Sequence, residues 1–371
     1  MGDVVIAGAG MAGLVAAAQA RALGAEPAIY EKGDRPGGSM ALSSGVIWRH
    51  RRFADFRAEC HGGQEPLQRL VHERLDADLD WLQELGAPLA AGPPGTGNPH
   101  TAGRRFDPPG LVSALCAATG PIRLGQPLTE LPAAPLVLGT GGFAANRDLV
   151  RAHITAQAEH LLLRASPWST GDGLRLGTRA GAERSAGMHE FYGRALPAPP
   201  ARVAPAQFVA LAQLYARHAE VTGPAGGRYR TRAWSEIDVV QWIARQPGAR
   251  ARYTVGPGQL GVRVGERTVA EMVAAAEAAG AAVERHPDGR VTVPVAAGIT
   301  TTLGGLRAGP DGRVAPGVFA AGNDVGGIAT GGYSSGLAAA LVLGRIAGRS
   351  AVQAARRGEA PAPASASPGP R

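Results

Sequence analysis

The sequence predicts an α/β protein, with a nucleotide-binding β-α-β unit at its start and an α+β segment inserted further along. Three observations carry that expectation. The chain opens on an apolar run, Val4-Val5-Ile6-Ala7, that passes directly into Gly8-Ala9-Gly10-Met11-Ala12-Gly13 and an Ala-rich helical pattern. A second apolar segment, Pro27 to Tyr30, ends in the acid Glu31. Residues 183–290 differ in character from their flanks, with a Pro-rich stretch at 197–205 and helical patterns at 205–218 and 268–281.

Each part of G-x-G-x-x-G answers a physical need. Gly8 permits the tight turn, Gly10 lets the backbone approach a pyrophosphate, and Gly13 lets helix and strand pack closely. The helix opening near Gly10 aims unpaired N–H groups and its positive dipole end at the phosphates. Glu31 follows at about the 20-residue offset at which an acid accepts hydrogen bonds from ribose hydroxyls. The unit therefore reads as Rossmann-like and binds a dinucleotide; the motif alone leaves NAD and FAD both open.

Beyond it, residues 32–39 are rich in turn formers, and leucines recur at helical spacing over 66–86. Residues 98–109 read as a polar, Pro-rich loop and 110–118 as a helix. Pro135 to Phe143 reads as a buried strand ending in a Gly turn, with a helix from Asn146 to His153. Strand signals return at 291–305 and 317–322, before a Gly-rich turn into a helix at Ser335–Ala347. These patterns group 1–182 with 291–350 and set 183–290 apart. The tail 351–371, which turns to Pro, Ala and Ser from Gly358, predicts disorder.

Composition narrows the function. At 371 residues the chain exceeds one ordinary core. It carries +8 net charge, but all of its basic residues except Lys32 are arginines scattered along the chain. No basic run is interleaved with aromatics, which argues against nucleic-acid binding and leaves an anionic substrate compatible. No apolar run of about 18 residues reads as a membrane span, and a strand starting at residue 3 leaves no room for a signal peptide, so a cytoplasmic location is expected. Cys60 and Cys116 offer neither a disulfide framework nor a metal spacing, and read as buried thiols.

Five segments, in order, resemble one family: Gly8–Gly13; Gly37-Gly38-Ser39 through Trp48; Gly139-Thr140-Gly141-Gly142-Phe143; Thr170-Gly171-Asp172-Gly173 with Ala180-Gly181-Ala182; and Gly304-Gly305-Leu306 with Gly317–Gly348. Together they resemble the FAD-binding domain of soluble fumarate reductases, 3-ketosteroid dehydrogenases and tricarballylate-type dehydrogenases. The resemblance implies FAD rather than NAD, held by a Rossmann-like FAD-binding domain, with 183–290 as a capping, substrate-binding insert. It implies that Ser39, Met40, Ser43, Ser44 and Gly45 line the flavin and its phosphates, with Gly38, Ala12 and Lys32 beside them. It implies further contacts from Thr140, Gly141 and Asp172, from Gly322 and Asn323 toward the ribityl chain, and from Ser335, Gly336 and Leu337 over the flavin carbonyl edge. A helix starting at Ser335 would turn its dipole toward that edge.

The departures matter as much. Where the reductases carry histidine, this chain reads Thr300-Thr301-Thr302-Leu303-Gly304-Gly305. The substrate-binding arginine of the reductases falls at Gly331, and their proton-delivering arginine near Ser235-Glu236-Ile237, with Arg230 and Arg232 close by. Gly298 matches the glycine of the ketosteroid enzymes, whereas their tyrosine position holds Pro294. With the dicarboxylate clamp incomplete, the resemblance implies a dehydrogenase (or reductase) acting on a C–C bond beside a carbonyl or carboxylate. The expected partners are an anionic or carbonyl-containing small molecule and an unidentified electron acceptor or donor. Arg232, Tyr333, Thr301 and Tyr192 are the candidate catalytic residues, since a hydride acceptor needs a proton donor or acceptor on the opposite face of the substrate. A flavin oxidase or hydroxylase using oxygen, and a flavoprotein without net redox turnover, remain open as other readings.

Overall fold

The computed structural model describes residues 2–92 and 96–361. Its N-terminal unit forms as the pattern predicts: β1 (Val4–Ala7), α1 (Met11–Ala22), β2 (Pro27–Tyr30). Every residue of β1 is buried, as an interior strand of a parallel sheet requires. Next come β3 (Val46–His50), α2 (Phe53–Glu59) and α3 (Glu65–Glu84). The leucine pattern of α3 buries Leu67, Val71, Leu75, Leu79 and Leu82 on one stripe. The segment expected to be a loop at 98–109 contains β4 (Thr101–Arg105), which pairs antiparallel with β3. Its backbone is held by that neighbour rather than by any periodicity of its own, so the pairing is invisible in the local sequence.

Then follow α4 (Pro108–Thr119), β5 (Ile122–Arg123), β6 (Leu136–Leu138) and α5 (Arg147–His153). Asp107 and Asn146 cap the two helices, accepting from the amides of Gly110 and Leu149 at 2.9 and 3.0 Å. β7 (Leu162–Leu163) and α6 (Asp172–Arg179) lead into β8 (Phe191–Pro197), β9 (Glu220–Thr222) and β10 (Arg228–Tyr229). The helical pattern at 205–218 is not an α-helix: only single 3-10 turns form at Pro205–Gln207 and Ala216–His218. Between them the backbone turns to the sheet, where the Gln213 amide donates to the Ala195 carbonyl at 2.9 Å.

The remainder comprises α7 (Ile237–Ala244), β11 (Arg250–Val255), β12 (Arg263–Val264), β13 (Arg267–Thr268), α8 (Val269–Ala278), β14 (Glu284–Arg285) and β15 (Val291–Thr302), then β16 (Arg313–Ala315), β17 (Val318–Ala320) and α9 (Gly336–Arg356). α9 runs past 350 and buries Ala351, Val352 and Ala354, so the disorder expected from 351 does not begin there. The expected disorder at 362–371 lies outside the described residues.

Two sheets organise the molecule. The first, in the order β16-β17-β6-β1-β2-β5, is parallel except for the antiparallel edge strand β16. The second is seven-stranded and built around β15, which pairs antiparallel with β8, β11 and β14 and parallel with β7. β15 thus joins strands of the 183–290 segment in one sheet. α9 packs across α1 at the range set by two glycines: a Cβ at Gly348 would stand 2.4 Å from the Ala16 carbonyl oxygen, and one at Gly344 2.9 Å from that of Ala12. This contact brings the first turn of α9 to the same side of the parallel sheet as the first turn of α1. Cys60 is buried and Cys116 half-buried, both free thiols. Among the described residues there is no metal-binding cluster, and no helix is long and apolar enough to cross a membrane.

Candidate functional site

An elongated cavity runs from the carboxyl ends of β1 and β2 to the second sheet. At its start, Gly8 adopts φ 98° and Gly13 packs so tightly that a Cβ there would lie 1.9 Å from the Gly8 carbonyl oxygen. A Cβ at Gly10 would meet nothing within 4 Å, so open space stands over the α1 N-terminus. Glu31 closes the turn from below. Its carboxylate, 7% exposed, accepts from the Ala9 amide and the Gly33 amide, each at 2.6 Å. It lines the cavity as well, so it both holds the turn and keeps lone pairs toward the space beside it.

Two further segments build the walls. Gly37 donates its amide to the Ala9 carbonyl at 2.8 Å, which lays the 38–44 loop along the cavity. Opposite runs 164–172, which follows the cavity for its length. The Ser166 amide donates to Ser39 Oγ at 2.9 Å; Trp168 stacks over Gly33; Asp172 and Thr170 hold Lys32 Nζ, the carboxylate at 3.0 Å. Asp324 fixes the floor from behind. Buried to 2% exposure, it accepts from Thr140 Oγ1 and from the Gly142 amide, both at 3.0 Å, tying the turn after β6 to the turn after β17. Burial pushes its carboxyl up and those hydrogen bonds pull it back, with the net direction upward.

The far end is aromatic and cationic. The Tyr192 and Tyr333 rings stack with centroids 4.4 Å apart, and Trp48 packs against Tyr333 at 5.3 Å. Trp234 closes the cluster from behind, 5.7 Å from both Trp48 and Tyr333. The Arg194 guanidinium lies over both tyrosine rings, at 5.1 and 5.6 Å, and donates to the Ser235 carbonyl. Arg164 lines the cavity, its Nε donating to the Phe208 carbonyl at 3.2 Å and its Nη1 to Thr300 Oγ1 at 3.0 Å. Burial alone would raise the Tyr192 phenol; Arg194, Arg164 and the neighbouring Tyr333 hydroxyl outweigh it and hold Tyr192 below the ordinary tyrosine value. Burial, with the neighbouring Tyr192, pushes Tyr333 the other way. A close pair of phenols with pKa values driven apart is the arrangement that assigns one as proton acceptor and one as donor.

Most of the residues expected at the cofactor line this one cavity: Gly8, Gly10, Ala12, Glu31, Lys32, Gly38, Ser39, Met40, Ser43, Ser44, Thr140, Gly141, Asp172, Gly322, Asn323, Ser335, Gly336 and Leu337. Gly13 and Gly45 do not. Gly13 is buried against Gly8, and Gly45, at φ 72°, accepts from the Phe106 amide as a hinge of the loop. Of the catalytic candidates, Tyr192, Tyr333 and Thr301 meet at the far end. Arg232 is exposed and lies away from the cavity, because Asp238 draws its amide (2.7 Å) and the Thr231 hydroxyl (2.6 Å) into the cap of α7. The sequence reading missed Arg164, Trp168, Trp48 and Arg194. For Trp168, the signal was its place two residues before Thr170 of the T-G-D-G turn, of which only Asp172 was singled out.

Residues 3–127 match the family model described as FAD binding domain. No curated protein matches the chain in sequence. Among solved structures, the chain is similar to the open conformation of a flavocytochrome c3 fumarate reductase, at 19% identity and TM-score 0.71 over 95% of this chain and 78% of that one. It is similar to 3-ketosteroid-Δ4-(5α)-dehydrogenase from Rhodococcus jostii RHA1 in complex with 4-androstene-3,17-dione, at 19% identity and TM-score 0.69 over 95% and 96%. It is also similar to 3-ketosteroid Δ1-dehydrogenase from Sterolibacterium denitrificans in complex with 1,4-androstadiene-3,17-dione, at 15% identity and TM-score 0.71 over 95% and 99%. These likenesses, each over 95% of this chain, show a shared fold. The cavity suits FAD on its own terms: open space over the α1 N-terminus, Glu31 beside it, a lining that runs from Gly8 to Tyr333, and Thr302 Oγ1, buried without a partner in the far wall.

Proposed function

We propose that this chain, which carries an FAD binding domain over residues 3–127, is an FAD-dependent oxidoreductase that removes hydrogen across a C–C bond beside a carbonyl or carboxylate. The observation that carries the reading is the Tyr192–Tyr333 pair, backed by Arg164 and Arg194, at the end of the cavity reached by the first turn of α9.

Bound FAD supplies a two-electron acceptor for the hydride leaving the β carbon. The residues do the rest. Glu31 and the α1 N-terminus hold the adenosine ribose and the pyrophosphate. Lys32, fixed by Asp172 and Thr170, lines the same end. Ser335 Oγ caps α9 by accepting from the Ala338 amide at 3.3 Å, which keeps the helix dipole directed at the far end of the trough. Tyr192 Oη takes the proton from the carbon next to the carbonyl, its phenolate form favoured by the two guanidiniums. Tyr333 stacks on its ring, and Trp48 walls the site from water. The substrate lies between the two sheets.

Anaerobic mixing of the FAD-loaded protein with saturated acids, esters and ketones tests the reading: at least one class bleaches the flavin and yields the α,β-unsaturated product. A fully loaded protein that no such compound reduces, whose dithionite-reduced form no unsaturated counterpart reoxidises, would overturn it.

A further inference from the structure

We propose that Arg164 is the receptor for the substrate's single anionic oxygen group, and that the substrate is a monocarboxylate with a flat, apolar body. This rests on the reading of the far end as the reaction site.

The cavity is lined by two cationic side chains, Lys32 and Arg164, and two anionic ones, Glu31 and Asp172. Both acids stand at the Lys32 end, where Asp172 neutralises the lysine at 3.0 Å. Arg164 has no carboxylate partner among the described residues: its Nε and Nη1 donate to neutral acceptors, the Phe208 carbonyl and Thr300 Oγ1, and the titratable group it acts on is the Tyr192 phenol. A guanidinium carries five donors in a planar fork suited to a carboxylate, more than its two protein acceptors use.

The charge around it reinforces the choice. Arg194 adds a second cation behind the tyrosines, with Glu236 as the acid that acts on it from outside ion-pair range. While Tyr192 is protonated, Arg164 is a buried cation with no carboxylate beside it, and an anion docking there relieves the cost of that burial. The other walls at this end include Trp48, Leu303, Ile328, Ala329 and Tyr333 with the hydroxyls of Thr301 and Thr302, none of them cationic. A second carboxylate would meet neutral hydroxyls at most and no second lining cation at this end, which disfavours dicarboxylates. The stacked tyrosines and Trp48 leave flat faces for the body of the ligand.

The test titrates FAD-loaded protein with 3-phenylpropanoate, its methyl ester and succinate, reading the flavin absorption change in wild type, Arg164→Gln and Arg164→Lys. The expected result is saturable binding of 3-phenylpropanoate. Its Kd rises about ten- to a hundredfold in Arg164→Gln and by less in Arg164→Lys, with the ester and succinate weak throughout. The ester binding as tightly as the acid, succinate binding more tightly, or an unchanged Kd in Arg164→Gln would overturn the proposal. So would an Arg164→Gln variant whose flavin midpoint potential shifts while the Kd stays put, since Arg164 would then serve the cofactor. Failure here is separable from failure of the functional reading: a protein that takes up no FAD, or whose FAD cannot be photoreduced, fails the latter. A loaded, photoreducible protein that ignores 3-phenylpropanoate fails only the former.

Discussion

The Tyr192 ring lies face to face with that of Tyr333, centroids 4.4 Å apart and planes 16° from parallel, with Arg194 over both. The groups facing Tyr192 are Arg194, Arg164 and Tyr333, and the cations favour its phenolate. The rate of flavin reduction is therefore expected to rise with pH and level off through a pKa below the ordinary tyrosine value. Tyr192→Phe removes that limb and lowers the rate by about 10²–10⁴, while FAD content is unchanged. Tyr333→Phe moves the limb to higher pH, because the neighbouring hydroxyl that favours the phenolate is gone. Stopped-flow pH profiles of the three proteins check both outcomes.

Trp168, 39% exposed at the mouth of the cavity beside Gly33, is placed to stack on the adenine. Trp168→Ala is expected to weaken FAD by about 1–3 kcal/mol, the range for an aromatic platform under a base. Tryptophan fluorescence quenched on FAD addition in the wild type, with a smaller quench and a raised Kd in the variant, is the readout.

Glu31 holds two buried amides, and removing it leaves both unpaired. Glu31→Ala is expected to lower apoprotein stability by about 2–4 kcal/mol and to weaken FAD binding as well. Glu31→Gln, with one oxygen where the carboxylate has two, falls between. Thermal melts with and without FAD separate the two effects.

Two buried groups give the stability profile opposite slopes. Burial lowers His50 to about 4, so the native state resists protonation and stability is lost as pH falls from 6.5 toward 4. Burial raises Glu236 to about 7, at a residue whose φ of 58° puts it in the left-handed region. The native state then holds a proton that the unfolded chain releases near 4.5, and stability is lost as pH rises through 7. His50→Leu is expected to remove the acid-side loss and Glu236→Gln the loss toward neutrality, in melts between pH 4 and 8.

How much of this was legible in the sequence follows from which interactions are local. The G-x-G-x-x-G turn was readable because Gly8 and Gly13 meet within one strand–turn–helix. The cavity-lining placement of Ser39, Asp172, Asn323 and Ser335 followed from resemblance to a family. The site's cations did not. Arg164 reaches the site only because β7 pairs with β15, residues more than a hundred positions later, and Arg194 because β8 does. In a chain this rich in arginine, nothing local distinguishes those two from the solvent-facing majority. Arg232 misled for the same reason: Asp238, six residues on, captures its backbone and turns the side chain outward.

The central claim is that the trough between Glu31 and Tyr333 holds a redox-active FAD. The most direct measurement is the visible spectrum of the purified protein before and after anaerobic photoreduction. The account predicts flavin bands at one FAD per chain, released as free FAD on denaturation or retained on the chain if covalently attached, that bleach on reduction. A protein without flavin bands even after refolding with added FAD would contradict it.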